Sequence, residues 1–354
     1  MVDRTFSGTA GRRHRVLLAG ALGMLGLTGA IAVPGVAGAA TGLGAAAAAR
    51  GRYFGAAVQP AKLTDPVYTR LLGQEFNSLT PENALEWDAV EPARNQFVFT
   101  AADRVVAQAR SQGAGVRGRG LVSPSANHVA WVTVLGTADD ARVALRNHIT
   151  VTMSHFRGQV KVWDVVSEAF SDVGAVRQSV FANRLGPAYI EEAFRAARAA
   201  DPGARLCYND YGIEDIGLAK TQAVYNLVRD FKSRGVPIDC VGLQSHFISA
   251  AAIPGAYRQT ISAFASLGVD VEITELDIGG SAPAQSDGYR RVVSACVTVS
   301  RCTGITVWGV RDTDSWLANL TPLLFDGTGA RKPAYYGALS GMGMCARTCS
   351  TGRR

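Results

Sequence analysis

This 354-residue sequence predicts an α/β fold, a (β/α)8 TIM barrel. Three observations carry the prediction. Short runs of β-formers alternate with amphipathic helical stretches, which is the pattern of parallel βα units. Eight strand runs are present, each followed by a plausible helix. Several of these runs end on polar or acidic residues, as they do in barrels whose reactive groups collect at the carboxyl ends of the strands. A doubly wound open sheet is the alternative for the same alternation.

In order, the strand runs are 53–58, 78–80, 116–122, 160–166, 205–208, 240–244, 271–274 and 305–310. The helical stretches between them are 66–74, 101–112, 138–156, 187–200, 218–234, 254–267 and 289–300, with a last one after Pro333. Asp201-Pro202-Gly203 and Arg234-Gly235-Val236-Pro237 stop two of these helices.

Ahead of the barrel, the basic cluster Arg12-Arg13-His14-Arg15 precedes an apolar stretch, Val16 to Ala32, and the small-residue site Ala37-Gly38-Ala39. That order predicts a signal peptide over 1–40 and a secreted, extracellular protein with no membrane association once the signal is removed. A low-complexity Gly/Ala segment follows at 41–50, then the catalytic domain at 51–345 and a short tail at 346–354. The net charge of +7 comes from basic residues that are dispersed apart from the N-terminal cluster and the final Arg353-Arg354, with no aromatic-basic surface, so no nucleic-acid partner is expected. A monomer is expected. The six cysteines show no Cys-x-x-Cys spacing, which suits disulfides in an oxidising compartment better than metal binding. Cys296 with Cys302 and Cys345 with Cys349 can each close a small loop, leaving Cys207 for Cys240. No metal and no cofactor are expected.

The chemistry rests on two glutamates, each closing an apolar strand. Glu168 ends Trp163-Asp164-Val165-Val166-Ser167, and Glu275 ends Val271-Glu272-Ile273-Thr274. Burying an unpaired carboxylate costs several kcal/mol, on the order of ~2–7 for a polar group and more for a charge, so two such residues point to paired work. Across a barrel mouth they suit glycoside hydrolysis, one protonating the leaving oxygen and the other attacking the anomeric carbon or activating water. Trp87, Trp131, Trp308 and Trp316 lie at strand ends or in loops, where sugar rings can stack, whereas mid-strand Trp163 is read as core. His246, after the sixth strand, is placed to hold Glu275, and Asp277, on the same face as Glu275, to hold the imidazole.

The motifs that bear these residues resemble glycoside hydrolase family 10, the xylanase family, over roughly Tyr53 to Met342. They are Asn77-Ser78-Leu79-Thr80-Pro81-Glu82-Asn83, Trp163 to Ala169, Tyr208-Asn209-Asp210-Tyr211, Val241-Gly242-Leu243-Gln244-Ser245-His246-Phe247, Ile273 to Asp277, and Trp308-Gly309-Val310-Arg311-Asp312. The resemblance implies retaining chemistry on β-1,4-xylan, with Glu168 as acid/base and Glu275 as nucleophile. It further implies that Gln244, His246 and Asp277 support the nucleophile, and that Glu82, Asn83, Trp308 and Trp316 line the glycone subsites. Asn209, Tyr211 and Arg311, which fall at strand ends, are expected to contact substrate. Actinobacterial members pair the equivalents of Cys207 with Cys240 and of Cys296 with Cys302.

The sequence departs from the family pattern in one region. Ser167 stands where an asparagine normally precedes the acid/base. Arg119, Ser123 and Pro124 stand where the family carries His, Trp and His, and Glu86 stands where it carries lysine. Arg119, Ser123 and Ser167 are therefore expected to set an altered glycone pocket. The alternative activity is tomatinase-like, removing a hexose-linked oligosaccharide from a saponin or glycoalkaloid. A carbohydrate-binding protein that has lost turnover is the reading from a different class.

Overall fold

The structure, a computed structural model, describes residues 42–344. Eight parallel strands close on themselves: β1 (Tyr53–Val58), β2 (Ser78–Pro81), β3 (Gly115–Gly118), β4 (Val162–Ser167), β5 (Arg205–Asp210), β6 (Cys240–Leu243), β8 (Asp270–Ile278) and β9 (Cys302–Val307). β9 returns to β1, and β6 pairs with β8. A two-residue strand, β7 (His246–Phe247), is added beside the carboxyl end of β8.

The helices are α1 (Leu43–Ala48), α2 (Pro66–Glu75), α3 (Trp87–Val90), α4 (Thr100–Ser111), α5 (Ala130–Thr133), α6 (Ala138–His155), α7 (Val180–Leu185), α8 (Tyr189–Ala200), α9 (Ala219–Ser233), α10 (Tyr257–Ser266), α11 (Ala284–Val297) and α12 (Pro333–Gly341). Their local chemistry is legible. Asp65 caps α2 by accepting from Val67 N (2.8 Å) and Tyr68 N (3.1 Å), with Pro66 at the first helical position. In α8, Ile190, Ala193, Phe194 and Ala197 repeat at three- and four-residue spacing and form the buried stripe.

The barrel interior is partly charged. Arg117 of β3 is buried between Asp164 of β4 and Glu272 of β8, and the Tyr53 hydroxyl donates to Glu272 at 2.9 Å. Each charge has a counter-charge, the condition under which burial is tolerated. Trp163 is fully buried, as its mid-strand position predicts, and packs so close to Gly118 that a Cβ there would lie 2.4 Å from the indole.

Several boundaries differ from the sequence reading. The segment 41–50 contains α1, whose Leu43, Ala46 and Ala47 are buried; Asn77 Nδ2 donates to Gly44 O (2.9 Å) and docks it on the barrel. β3 ends at Gly118, not Val122, because Gly120 takes a positive φ of 83° and turns the chain. The helix expected from Pro187 begins at Tyr189, since Pro187 sits in a 3-10 turn. Disulfides join β5 to β6 through Cys207–Cys240, which are register partners, and α11 to β9 through Cys296–Cys302. The 1–40 signal, the 346–354 tail and the Cys345–Cys349 pair fall on or reach residues outside those described.

Candidate active site

Glu275 lies on β8 and is 3 % exposed. Its Oε1 accepts from Asn209 Nδ2 at 2.7 Å, and Thr274 Oγ1 donates to Asn209 Oδ1 at 2.7 Å, which fixes which way the amide faces. His246 Nε2 lies 3.3 Å from Oε2 of Glu275, and Arg119 Nε lies 3.7 Å from Oε1. The other imidazole nitrogen, Nδ1, is 3.0 Å from Asp277 Oδ2, to which Trp316 Nε1 also donates at 2.9 Å. The strand pairing builds this contact, because His246 of β7 and Asp277 of β8 are register partners. Between Gln244 and His246, Ser245 takes φ +61° and sends its hydroxyl to the Tyr257 hydroxyl at 2.7 Å, so both neighbours reach the cleft.

The electrostatics follow from these contacts. Burial works against ionisation of Glu275, but the Arg119 charge, the His246 hydrogen bond and charge, and the Asn209 amide bring its carboxyl down to about 2. Burial likewise opposes charge on His246, and hydrogen bonds from it to Asp277 and Glu275 lift it to about 10. At neutral pH His246 is an imidazolium against the ionised Glu275.

Glu168 follows β4 at φ +57°, a strained conformation for a non-glycine residue. A register shift between Asp164 and Val166 precedes it. Its N–H donates to Asn209 O (2.9 Å), Gln244 Nε2 donates to its Oε1 (3.1 Å), and Arg177 Nη1 lies 4.0 Å from Oε2. Both glutamates border one cavity of about 710 Å³, together with Glu82, Asn83, Arg119, Tyr211, Gln244, His246, Trp308 and Trp316. Trp316 is 60 % exposed and Trp308 nearly buried. A fixed carboxylate facing a second, more open one can supply attack from one wall and proton transfer from the other.

Other expected contacts lie elsewhere. Arg311 does not face the cavity. Gly309, at φ +134°, turns the chain, and Arg311 pairs instead with Asp314 (2.7 Å) and Asp65 (2.8 Å) over the Tyr68 ring. Asn209 is fully buried, so it touches Glu275 and not a ligand. Ser123 is outside the main cavity and donates to Glu86 Oε2. Ser167 is 3 % exposed, its hydroxyl has no protein partner, and it lines a chamber of about 90 Å³ behind Glu168. Trp87 is core, stacked on His148 at 3.7 Å, and Trp131 donates to Glu91 O.

Two cations went unread in the sequence. Arg177 lies over Tyr211 and bonds its hydroxyl; buried Lys220 sits 3.4 Å from the same ring and 2.8 Å from Asp210. Neither belongs to a spaced motif, so only the meeting of the loops after β4 and β5 with α9 reveals them.

The profile of glycosyl hydrolase family 10 matches residues 42–340. An endo-1,4-beta-xylanase of Agaricus bisporus is 42% identical over 310 residues, covering 82% of this chain and 91% of that protein. Endo-1,4-beta-xylanase A of Phanerodontia chrysosporium is 40% identical over 310 residues, 82% of this chain and 74% of its own. Among solved structures, native xylanase 10B from Thermotoga maritima superposes with a TM-score of 0.79 at 35% identity, covering 86% of this chain and 98% of that one. Xylanase 10B from Thermotoga petrophila, in complex with xylobiose, gives 0.78 at 35% identity, with 86% and 97% covered.

Proposed function

Since the chain belongs to glycosyl hydrolase family 10, we propose that it is a secreted, retaining endo-1,4-β-xylanase that works by double displacement through Glu275 and Glu168. The observation that carries the reading is the pair of carboxylates lining one cavity in unlike environments, one held ionised by Arg119 and His246 and one partly exposed beside Gln244. Glu275 attacks the anomeric carbon and forms a glycosyl-enzyme ester, while Glu168 gives its proton to the departing glycosidic oxygen. Glu168 then takes a proton from water, whose oxygen displaces Glu275 from the anomeric carbon and leaves the product in its original configuration. His246 holds Glu275 in place and Asp277 holds His246. Tyr211, Trp308 and Trp316 offer ring faces and polar edges to the sugar chain. The disulfides Cys207–Cys240 and Cys296–Cys302 support export to an oxidising compartment.

The test is hydrolysis of xylan and of an aryl β-xylobioside, with the anomer of the first product read by proton NMR. A β-anomer and a mass increase of one 2-fluoroxylobiosyl group, two sugar units, after treatment with a 2-fluoro xylobioside are expected. An initial α-anomer excludes the ester intermediate, and sugar binding without turnover by folded protein favours the binding-protein reading. A second reading, a tomatinase-like β-glycosidase acting on a hexose-linked oligosaccharide, draws on the small residues Ser123 and Ser167 near Glu168; the same assay with a glycoalkaloid decides between the two.

A further inference from the structure

A second pocket, of about 400 Å³, opens off the main cavity on the Glu168 side. It is not a separate surface dent, because Asn83, Arg119 and Glu168 line both spaces. They differ in the side chains that line them. The main cavity carries the rings of Tyr211, Phe247, Trp308 and Trp316, whereas the side pocket has Glu86, Asp88, Ser123, Ser125 and His128 beside Ala89 and Pro124.

The side pocket is also built in advance. Glu86 is 7 % exposed; its Oε1 meets Arg119 Nη1 at 2.8 Å, and its Oε2 accepts from Ser123 Oγ (2.5 Å) and Ser125 Oγ (2.7 Å), hydroxyls themselves 2.8 Å apart. The backbone after β3 reaches this carboxylate only through Gly120, where a Cβ would lie 2.8 Å from Glu86 Oε2. Such a wall loses little freedom on binding. Its buried acid is matched by Arg119, and exposed Asp88 adds a negative charge, so the pocket suits an uncharged, hydroxyl-bearing group and disfavours an anion.

We propose that the side pocket walled by Glu86, Ser123 and Ser125 receives an uncharged, hydroxyl-bearing substituent on the sugar unit whose glycosidic bond is cleaved. The proposal rests on the assignment of Glu168 and Glu275 above. With Glu168 at the glycosidic oxygen and Glu275 at the anomeric carbon, that unit lies between them beside Arg119, at the mouth of the side pocket. The substituent is either the hydroxymethyl arm of a hexose or a neutral sugar branch.

Three aryl glycosides separate these sources: an aryl β-xylobioside, the same compound with glucose as the aryl-bearing unit, and the xylobioside with an arabinose branch on that unit. Each is assayed with the wild-type enzyme and with Ala89→Trp and Asp88→Trp. Both positions are exposed on the rim, so neither change removes a buried contact, and thermal melting confirms folding. The wild-type enzyme is expected to hydrolyse at least one substituted compound with kcat/KM within about tenfold of the plain xylobioside. The rim variants are expected to lose roughly tenfold or more on that compound alone, the scale on which a pocket discriminates by one small group. The proposal is overturned if the wild type cleaves the plain xylobioside and rejects both others, or if the rim variants lose all activities in parallel. Failure to cleave any of the three by folded enzyme instead removes the catalytic assignment.

Discussion

The two walls of the cleft are built to opposite specifications. Around Glu275 the side chains interlock: Asn209, His246 and Arg119 converge on the carboxylate, and Asp277, Thr274 and Trp316 hold Asn209 and His246 in turn, although Arg119 Nε and Asp277 Oδ1 make no hydrogen bond among the described residues. Around Glu168 the contacts are sparse. The backbone is strained, Gln244 is the single side chain among the described residues that hydrogen-bonds the carboxylate, and small residues leave both a chamber and a side pocket beside it. Groups that must present one charge in one place are over-determined, whereas a wall that admits different sugars is left open. In the proposed mechanism the nucleophile thus sits on the closed wall, and the proton donor shares the open wall with the space for substituents.

The comparison breaks most directly at the carboxylates. Glu275→Gln keeps the shape but turns one acceptor oxygen into an NH2 that faces a donor, Asn209 or His246, and removes the nucleophilic carboxylate, so a loss of roughly 10⁴-fold or more in kcat is expected for every substrate. Glu168→Ala should be substrate-dependent: about 10²–10⁴-fold on xylan, whose leaving alcohol needs a proton, and far less in the first step with an aryl glycoside. Equal losses on both substrates in the Glu168 variant would contradict the assignment of protonation to the open wall.

How much of this was visible in the sequence follows the same division. The eight strand–helix units were legible because parallel strands read as apolar runs and their helices as amphipathic ones. Glu168, Glu275 and His246 stood out because charged residues close those runs. Arg311 was misplaced because reading a strand end assumes that alternation continues, and Gly309 ends it. α1 was hidden because a Gly/Ala run carries little periodic signal, although Leu43, Ala46 and Ala47 bury one face of it. Ser123 stands out in the sequence as a departure, but its capture by Glu86 beside Ser125, which makes it a wall of the side pocket, comes from packing between two loops that the sequence does not show.

A smaller effect tests whether the Glu275 wall is held by charge. His246→Asn removes the imidazolium but leaves Arg119 and Asn209, so the Glu275 carboxyl should rise from about 2, and kcat/KM should begin to fall at correspondingly higher pH on the acid side. An unchanged acid limb would show that Arg119 and Asn209 set the charge without His246.

The smallest effect concerns stability. The Glu275 carboxyl is lower in the folded chain than its ordinary 4.5, so its contribution is fully present above about 4.5 and is lost as pH falls towards 2. His246 is raised from 6.5 to about 10, so its contribution is fully present below about 6.5 and is lost as pH rises towards 10. The two together favour the folded state most between those ordinary values, from pH 4.5 to 6.5. Thermal midpoints measured across pH should therefore decline on the alkaline side for the wild-type protein, and His246→Asn should flatten the decline between 6.5 and 10. A variant whose alkaline limb matches the wild type would mean that packing, not the imidazolium, holds this wall, and the contrast with the Glu168 side would then be one of contact density alone.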